Sequence, residues 1–223
     1  MINLEARGLS KVLRLPAGEV QALNSFSASF EAKKRYAITG PSGCGKSTLL
    51  YLLGLLDQPT SGELLIRGSS MKDLDPDALV ALRNRMLGFV FQFHFLLPEL
   101  TVVENIILPA LKLGVERAEA ERRAMVLLSE VGLQDKAGRF AWQISGGEQQ
   151  RVAVARCLVN NPPIVLADEP TGNLDAANSQ MIFDLLSRAC LERGSTLIIV
   201  THNPQLAALC DVCLKLIDGR LAE

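Results

Sequence analysis

The sequence predicts an α/β fold with a mainly parallel sheet, on three observations. Two short aliphatic runs, Ile164 to Ala167 and Thr196 to Val200, have the β-branched, unalternating character of strands buried on both faces. Helix-period segments follow them, at Ala176 to Glu192 and Pro204 to Leu209, giving the βαβ alternation of a parallel sheet. A glycine-rich stretch, Gly40 to Thr48, lies between a strand-like run (Arg35 to Ile38) and a helix-like run (Leu49 to Leu56), where such sheets open a ligand crevice.

The remaining elements follow in order. Met1 to Phe30 shows short strand-like stretches around a loop at Leu15-Pro16-Ala17-Gly18, and Gly62 to Gly68 encloses another strand between glycines. Asp75-Pro76 opens a helix to about Arg85, proline suiting its first position. Leu87 to Phe91 reads as a strand ending at Gln92. From Thr101 to about Asn160 the period turns helical, with Val126, Leu127, Val131 and later Val152, Ala155 and Val159 at helix spacing. This region, about 93–160, is expected as a helical subdomain inserted between strands. No repeat, low-complexity tract or linker suggests a second domain, so residues 1–223 are expected to form one.

Composition narrows the function classes. The 223 residues are 48% hydrophobic, enough for a substantial core, and the formal net charge is −1. That balance lacks the basic footprint of phosphate neutralisation, so no nucleic-acid partner is expected. No apolar run approaches the roughly 18 residues of a spanning helix. Glu5, Arg7 and Lys11 interrupt the N-terminus, which does not read as a signal peptide. Five cysteines at irregular positions fit a reducing compartment, and Cys210-Asp-Val-Cys213 reads as two half-buried thiols near the last strand rather than a metal site.

Gly40-Pro41-Ser42-Gly43-Cys44-Gly45-Lys46-Ser47-Thr48 carries the strongest chemistry. Its glycines let backbone N–H groups converge on phosphate oxygens, Lys46 reaches the β- and γ-phosphates, and Ser47 offers a hydroxyl to Mg²⁺. The helix that starts there adds about half a positive charge. Asp168 and Glu169 stand at the exit of a buried strand, suited to holding Mg²⁺ and to polarising an attacking water; a general base contributes roughly 10²–10⁴ in rate. Ser145-Gly146-Gly147 precedes Glu148-Gln149-Gln150-Arg151, with Ser145 as N-cap and the glycines admitting an anion, a second phosphate-binding helix start.

With these residues in hand, Ile144 to Arg151 resembles the signature motif of the ATP-binding cassette (ABC) ATPases, and the resemblance spans essentially the whole chain in the family's order. It implies a P-loop NTPase with a RecA-like core, an N-terminal antiparallel β subdomain and an inserted helical subdomain. It implies ATP and Mg²⁺ as substrate and cofactor. Gln92 matches the glutamine that senses Mg²⁺ and water, Gly172-Asn173-Leu174-Asp175 the loop that signals between protomers, and His202 the histidine that contacts the γ-phosphate. The family's assembly is a head-to-tail homodimer in which the signature of one copy closes over phosphates held by the other, two ATP lying in the interface.

Gly88 to Asn105 and Leu166 to Asp175 most resemble the lipoprotein-releasing and macrolide-exporter group, which implies integral membrane partners and a peripheral place on the cytoplasmic face of the inner membrane. The run Phe93 to Pro98 has two open readings, a groove for a short cytosolic helix of the partner or a cover for the helical subdomain. A division-site regulator that moves no substrate stays open, and a soluble DNA-repair ATPase fits less well because the span from Gln92 to Ser145 leaves room only for a helical subdomain. One position departs from the family pattern. Leu13 falls where an aromatic residue usually stacks on adenine, so stacking of about 1–3 kcal/mol is missing and GTP is expected to compete.

Overall fold

The N-terminus forms one long hairpin rather than several short stretches. A computed structural model describes residues 1–16, 18–172 and 174–222. In it β1 (Ile2–Leu15) runs antiparallel to β2 (Gly18–Glu31), from Leu4 opposite Phe30 out to Leu13 opposite Val20. The ladder shifts register between Ala6 and Leu9, where Gly8 takes a left-handed φ of 58°. Such a bulge breaks the period-two pattern that would have marked a single strand. Ala17, in the expected loop, lies outside the described residues. Strand β4 (Ser61–Ile66) pairs with the other edge of β1, and β5 (Ser69–Ser70) completes an antiparallel sheet of order β2-β1-β4-β5.

The second sheet is the expected parallel one. Strands β3 (Arg35–Thr39), β6 (Leu87–Phe91), β7 (Ile164–Asp168), β8 (Thr196–Val200) and β9 (Val212–Ile217) run parallel, and β10 (Arg220–Leu221) folds back on β9, in the order β10-β9-β3-β8-β7-β6. Alternate residues of β7 and β8 serve two cores, which is why both runs are aliphatic throughout. Leu166, Ile198 and Val200 pack with Phe26 and Phe30 of the hairpin and with Leu49 and Leu53 of α1 (Lys46–Leu53). Val165, Ala167, Leu197 and Ile199 face the opposite layer of helices.

Helix α1 corrects the expected span, Leu49 to Leu56. It begins at Lys46, directly after left-handed Gly45, and ends at Leu53 with Gly54 as C-cap. Its first turn is polar because its free N–H groups face outward, so apolar spacing sees only the second turn. Helix α2 (Pro76–Met86) starts as expected, Asp75 Oδ1 accepting from the N–H groups of Asp77 and Ala78, each at 3.0 Å.

Between β6 and β7 lie α3 (Val102–Lys112), α4 (Arg117–Glu130) and α5 (Gly146–Leu158), with two short 3₁₀ turns, Gln134–Lys136 and Ala141–Gln143. Val152, Ala155 and Val159 are buried, but Val126 is exposed, since its neighbours Ala124, Leu127 and Leu128 already fill the inner face of α4. Helices α6 (Ala176–Arg193) and α7 (Pro204–Ala208) flank β8. Cys210 is half-buried as expected, whereas Cys213 is exposed on β9. Among the described residues, no helix is long and apolar enough to cross a membrane.

Candidate nucleotide site

The carboxyl ends of β3, β7 and β8 bring most of the expected site residues to one edge. Two glycines of the phosphate loop are dictated by close approach. A Cβ on Gly40 (φ 150°) would sit 2.1 Å from the Leu216 carbonyl oxygen, and one on Gly45 (φ 101°) 2.2 Å from that of Ala22. Pro41, Ser42, Gly43 and Ser47 line the exposed rim, Thr48 is half-buried, and Cys44 is buried beneath them. Lys46 Nζ donates to the carbonyl oxygens of Gly40 (2.9 Å) and Pro41 (2.8 Å), so its charge is held inside the loop. A cavity of about 410 Å³ opens alongside, lined by Gly40, Thr201, His202, Pro204 and Cys213 among others.

Ser47 and Asp168 face each other across the sheet edge, Ser47 Oγ donating to Asp168 Oδ1 at 3.4 Å. Burial raises the Asp168 pKa; the Ser47 hydrogen bond pulls it down, and the neighbouring Glu169 charge adds to the rise. Glu169 follows at a left-handed φ of 45°, its N–H donating to Val200 O (3.0 Å). Its Oε2 accepts from the His202 backbone N–H at 3.3 Å and lies 2.9 Å from His202 Nδ1. This contact joins the two residues directly. Gln92, just beyond β6, lies against Gly172, where a Cβ would come 2.8 Å from Gln92 Nε2.

Other expected residues stand apart from this edge. Ser145 caps α5 as the sequence suggests, its Oγ accepting from Glu148 N (3.3 Å), while Glu148 Oε2 accepts from the Ser145 N–H (2.8 Å) and hydroxyl (3.0 Å). Those bonds lower the Glu148 pKa. Ser145 and Gly146 are exposed, and nothing lies within 4 Å of a Cβ built on Gly146. Among the described residues, no hydrogen bond or ion pair links residues 145–147 to the phosphate loop. Asp175 caps α6 by accepting from Asn178 N (2.8 Å), which lowers its own pKa. Leu13 is half-buried on the hairpin. Asn173 falls outside the described residues.

Two residues of α5 were missed by sequence reasoning. Gln150 is buried and donates to Pro170 O (2.6 Å) and Phe91 O (3.3 Å), with its Oε1 against His94 Nδ1. Arg156 donates to the carbonyl oxygens of Phe95 (2.7 Å) and His94 (2.6 Å), and burial lowers its pKa. Both fix the loop after Gln92 to the signature helix. The only signal was a polar side chain on the helix's apolar face. In that loop Phe93, Phe95 and Leu97 are exposed while Leu96 packs on the core, beside a groove of about 340 Å³ lined by Arg83, Phe89, Phe91, Pro109 and Arg156 among others.

Residues 23–172 match the model of the family described as ABC transporter. The chain belongs to the ABC transporter family. Over 218 residues, 98% of this chain and 95% of the relative, it is 47% identical to "Lipoprotein-releasing system ATP-binding protein LolD" of Aquifex aeolicus (strain VF5). The protein of that name from Bordetella avium (strain 197N) is similar to the same extent. Among solved structures, the chain is similar to the dimeric structure of MJ0796, a bacterial ABC transporter cassette, with TM-score 0.91, 38% identity and coverage of 99% of this chain and 97% of that one. A second structure of that cassette, a dimeric post-hydrolysis state bound to ADP and Pi, matches with TM-score 0.91 and 37% identity over the same shares. The ABC ATPase fold expected from the motifs, a P-loop NTPase core with a parallel sheet, is therefore the fold of this chain.

Proposed function

We propose that this ABC ATPase binds ATP with Mg²⁺ at the edge formed by Lys46, Ser47, Asp168, Glu169, His202 and Gln92, and hydrolyses it to drive an integral membrane partner. The observation that carries this reading is the pairing of Glu169 with His202 beside the Ser47–Asp168 contact, which supports Glu169 as base, His202 as γ-phosphate contact and Ser47 and Asp168 as cation ligands. Lys46 exchanges the carbonyls of Gly40 and Pro41 for β- and γ-phosphate oxygens. Glu169 orients the attacking water and takes its proton, and His202 steadies the γ-phosphate while its backbone N–H holds the Glu169 carboxylate.

The residues fit Mg²⁺. Ser47 and Asp168 offer hard oxygens close together, and a carboxylate whose charge burial disfavours gains from a cation. Among the described residues no cluster of three His, Cys, Asp or Glu side chains could hold a metal alone, which suits an ion held by one or two protein oxygens together with substrate phosphates. When bound, Mg²⁺ neutralises charge that builds on the phosphate oxygens.

The second phosphate-binding start is exposed at Ser145 and Gly146 and, among the described residues, makes no hydrogen bond to the phosphate loop, which supports a head-to-tail homodimer in which each copy completes the other's site. The dimeric MJ0796 structures are consistent with that arrangement. Exposed Phe93, Phe95 and Leu97 support a docking place for a short cytosolic helix of the membrane partner. The relatives' names favour lipoprotein release as the work done, on the cytoplasmic face of the inner membrane. Glu169→Gln tests the reading. Hydrolysis should fall by about 10²–10⁴ while ATP binding persists and a dimer accumulates on gel filtration; turnover near that of the parent protein refutes the assignment of the base.

A further inference from the structure

The phosphate loop grips the charged end of a nucleotide, whereas the base needs a flat apolar surface. On the hairpin that position is Leu13, opposite exposed Val20, an aliphatic pair on one face of the ladder. The large aromatic surface beside a phosphate-binding helix start lies elsewhere. Phe140 and Trp142 stack with ring centroids 6.3 Å apart and planes 10° apart, just ahead of Ser145. Both are exposed, Trp142 at 66%, although tryptophan is usually well buried.

These rings are braced from behind. Ala141 and Ile144 are buried, and the Phe140 N–H donates to Gln143 Oε1 at 2.8 Å. Gln149 Nε2 donates to the carbonyls of Ala141 (3.0 Å) and Ile144 (3.2 Å). A braced aromatic loses little freedom when it binds, so its contact energy is not spent on ordering.

We propose that Trp142 of one copy stacks on the nucleobase held by the other copy's phosphate loop, supplying in trans the aromatic face that Leu13 does not. The inference rests on the head-to-tail dimer proposed above. With Ser145 at the partner's γ-phosphate, the chain from Ser145 to Trp142 spans at most about 10 Å, and the indole extends that reach toward the ribose and base. Trp142 and Gln143 are exposed just ahead of exposed Ser145 and Gly146, and the occupant is the purine of a nucleoside triphosphate. The base then lies between the Leu13–Val20 pair of one copy and the indole of the other, so closure reads the base as well as the phosphates.

Trp142 is the chain's only tryptophan and reports on its own surroundings. In Glu169→Gln protein with Mg²⁺, ATP should quench the indole emission in step with dimer formation on gel filtration, and ribose 5-triphosphate, which lacks only the base, should leave it unquenched. Trp142→Ala should raise the ATP concentration needed for half-dimerisation by about 5- to 100-fold, and Trp142→Phe should recover most of the loss. Equal quenching by ribose 5-triphosphate, or dimerisation of Trp142→Ala at the parent's ATP concentration, overturns the stacking and leaves the dimer standing. Failure of ATP to produce any dimer overturns both.

Discussion

Asp168 is the residue on which folding and chemistry pull in opposite directions. Burial raises its pKa, so the folded chain disfavours the very charge that a cation needs. With the folded pKa above the unfolded value, the carboxyl's contribution to stability is present at low pH and lost as pH rises through the folded pKa. Asp168→Asn removes that pH-dependent loss. Its melting temperature should therefore match or exceed the parent's at pH 7 with the gap closing on acidification, while Mg²⁺-dependent hydrolysis disappears; a variant less stable at pH 7 than at low pH, relative to the parent, contradicts this. At this scale placement was legible wherever the marking residues sit in a short stretch, as where Lys46, Asp168 and Glu169 come to the strand ends and Ser145 caps α5. Gln150 and Arg156 were not, because their partners are carbonyls of Phe91, His94, Phe95 and Pro170, groups every residue possesses and no sequence pattern marks.

Among the elements, α3 shows how a helix holds the loop that leads into it. Asn105 is fully buried on it and makes paired bonds with Leu97, accepting from its N–H (2.7 Å) and donating to its carbonyl (3.0 Å), with further bonds to the carbonyls of Leu100 and Thr101. That one amide turns the chain after Phe95 back toward the Thr101 cap, whose side chain and Glu104 form a reciprocal capping box. Asn105→Ala removes all of these bonds at a fully buried position and should cost about 1–3 kcal/mol, read as a lower urea midpoint. An unchanged midpoint means the loop has another anchor. Elements whose burial is uniform or strictly periodic were legible, β6 and β8 with the bounds expected. The hairpin was not, since its bulges reset the alternation, and α1 began early because its first turn is spent on ligand-facing N–H groups rather than on the core.

At the scale of the whole molecule, the two cores on either side of the parallel sheet keep the phosphate loop and the helical layer on separate faces, joined at the strand ends. Among the exposed aromatics after Gln92, Phe95 packs edge-on against Phe91 at the end of edge strand β6. Phe95→Glu, at a side chain 65% exposed, should leave the fold and ATP binding intact and abolish transport when the chain is reconstituted with its membrane partner in vesicles. Undiminished transport removes that surface from the coupling path. Gln150 gives this layout a mechanical meaning. One amide spans the end of β6 and the segment following Glu169, and a guanidinium two turns farther along the same rod clasps the aromatic loop. A tilt of that rod would carry with it both the aromatic loop and the Pro170 carbonyl beside Glu169, the proposed base, so the two ends of the chain's machinery share one lever.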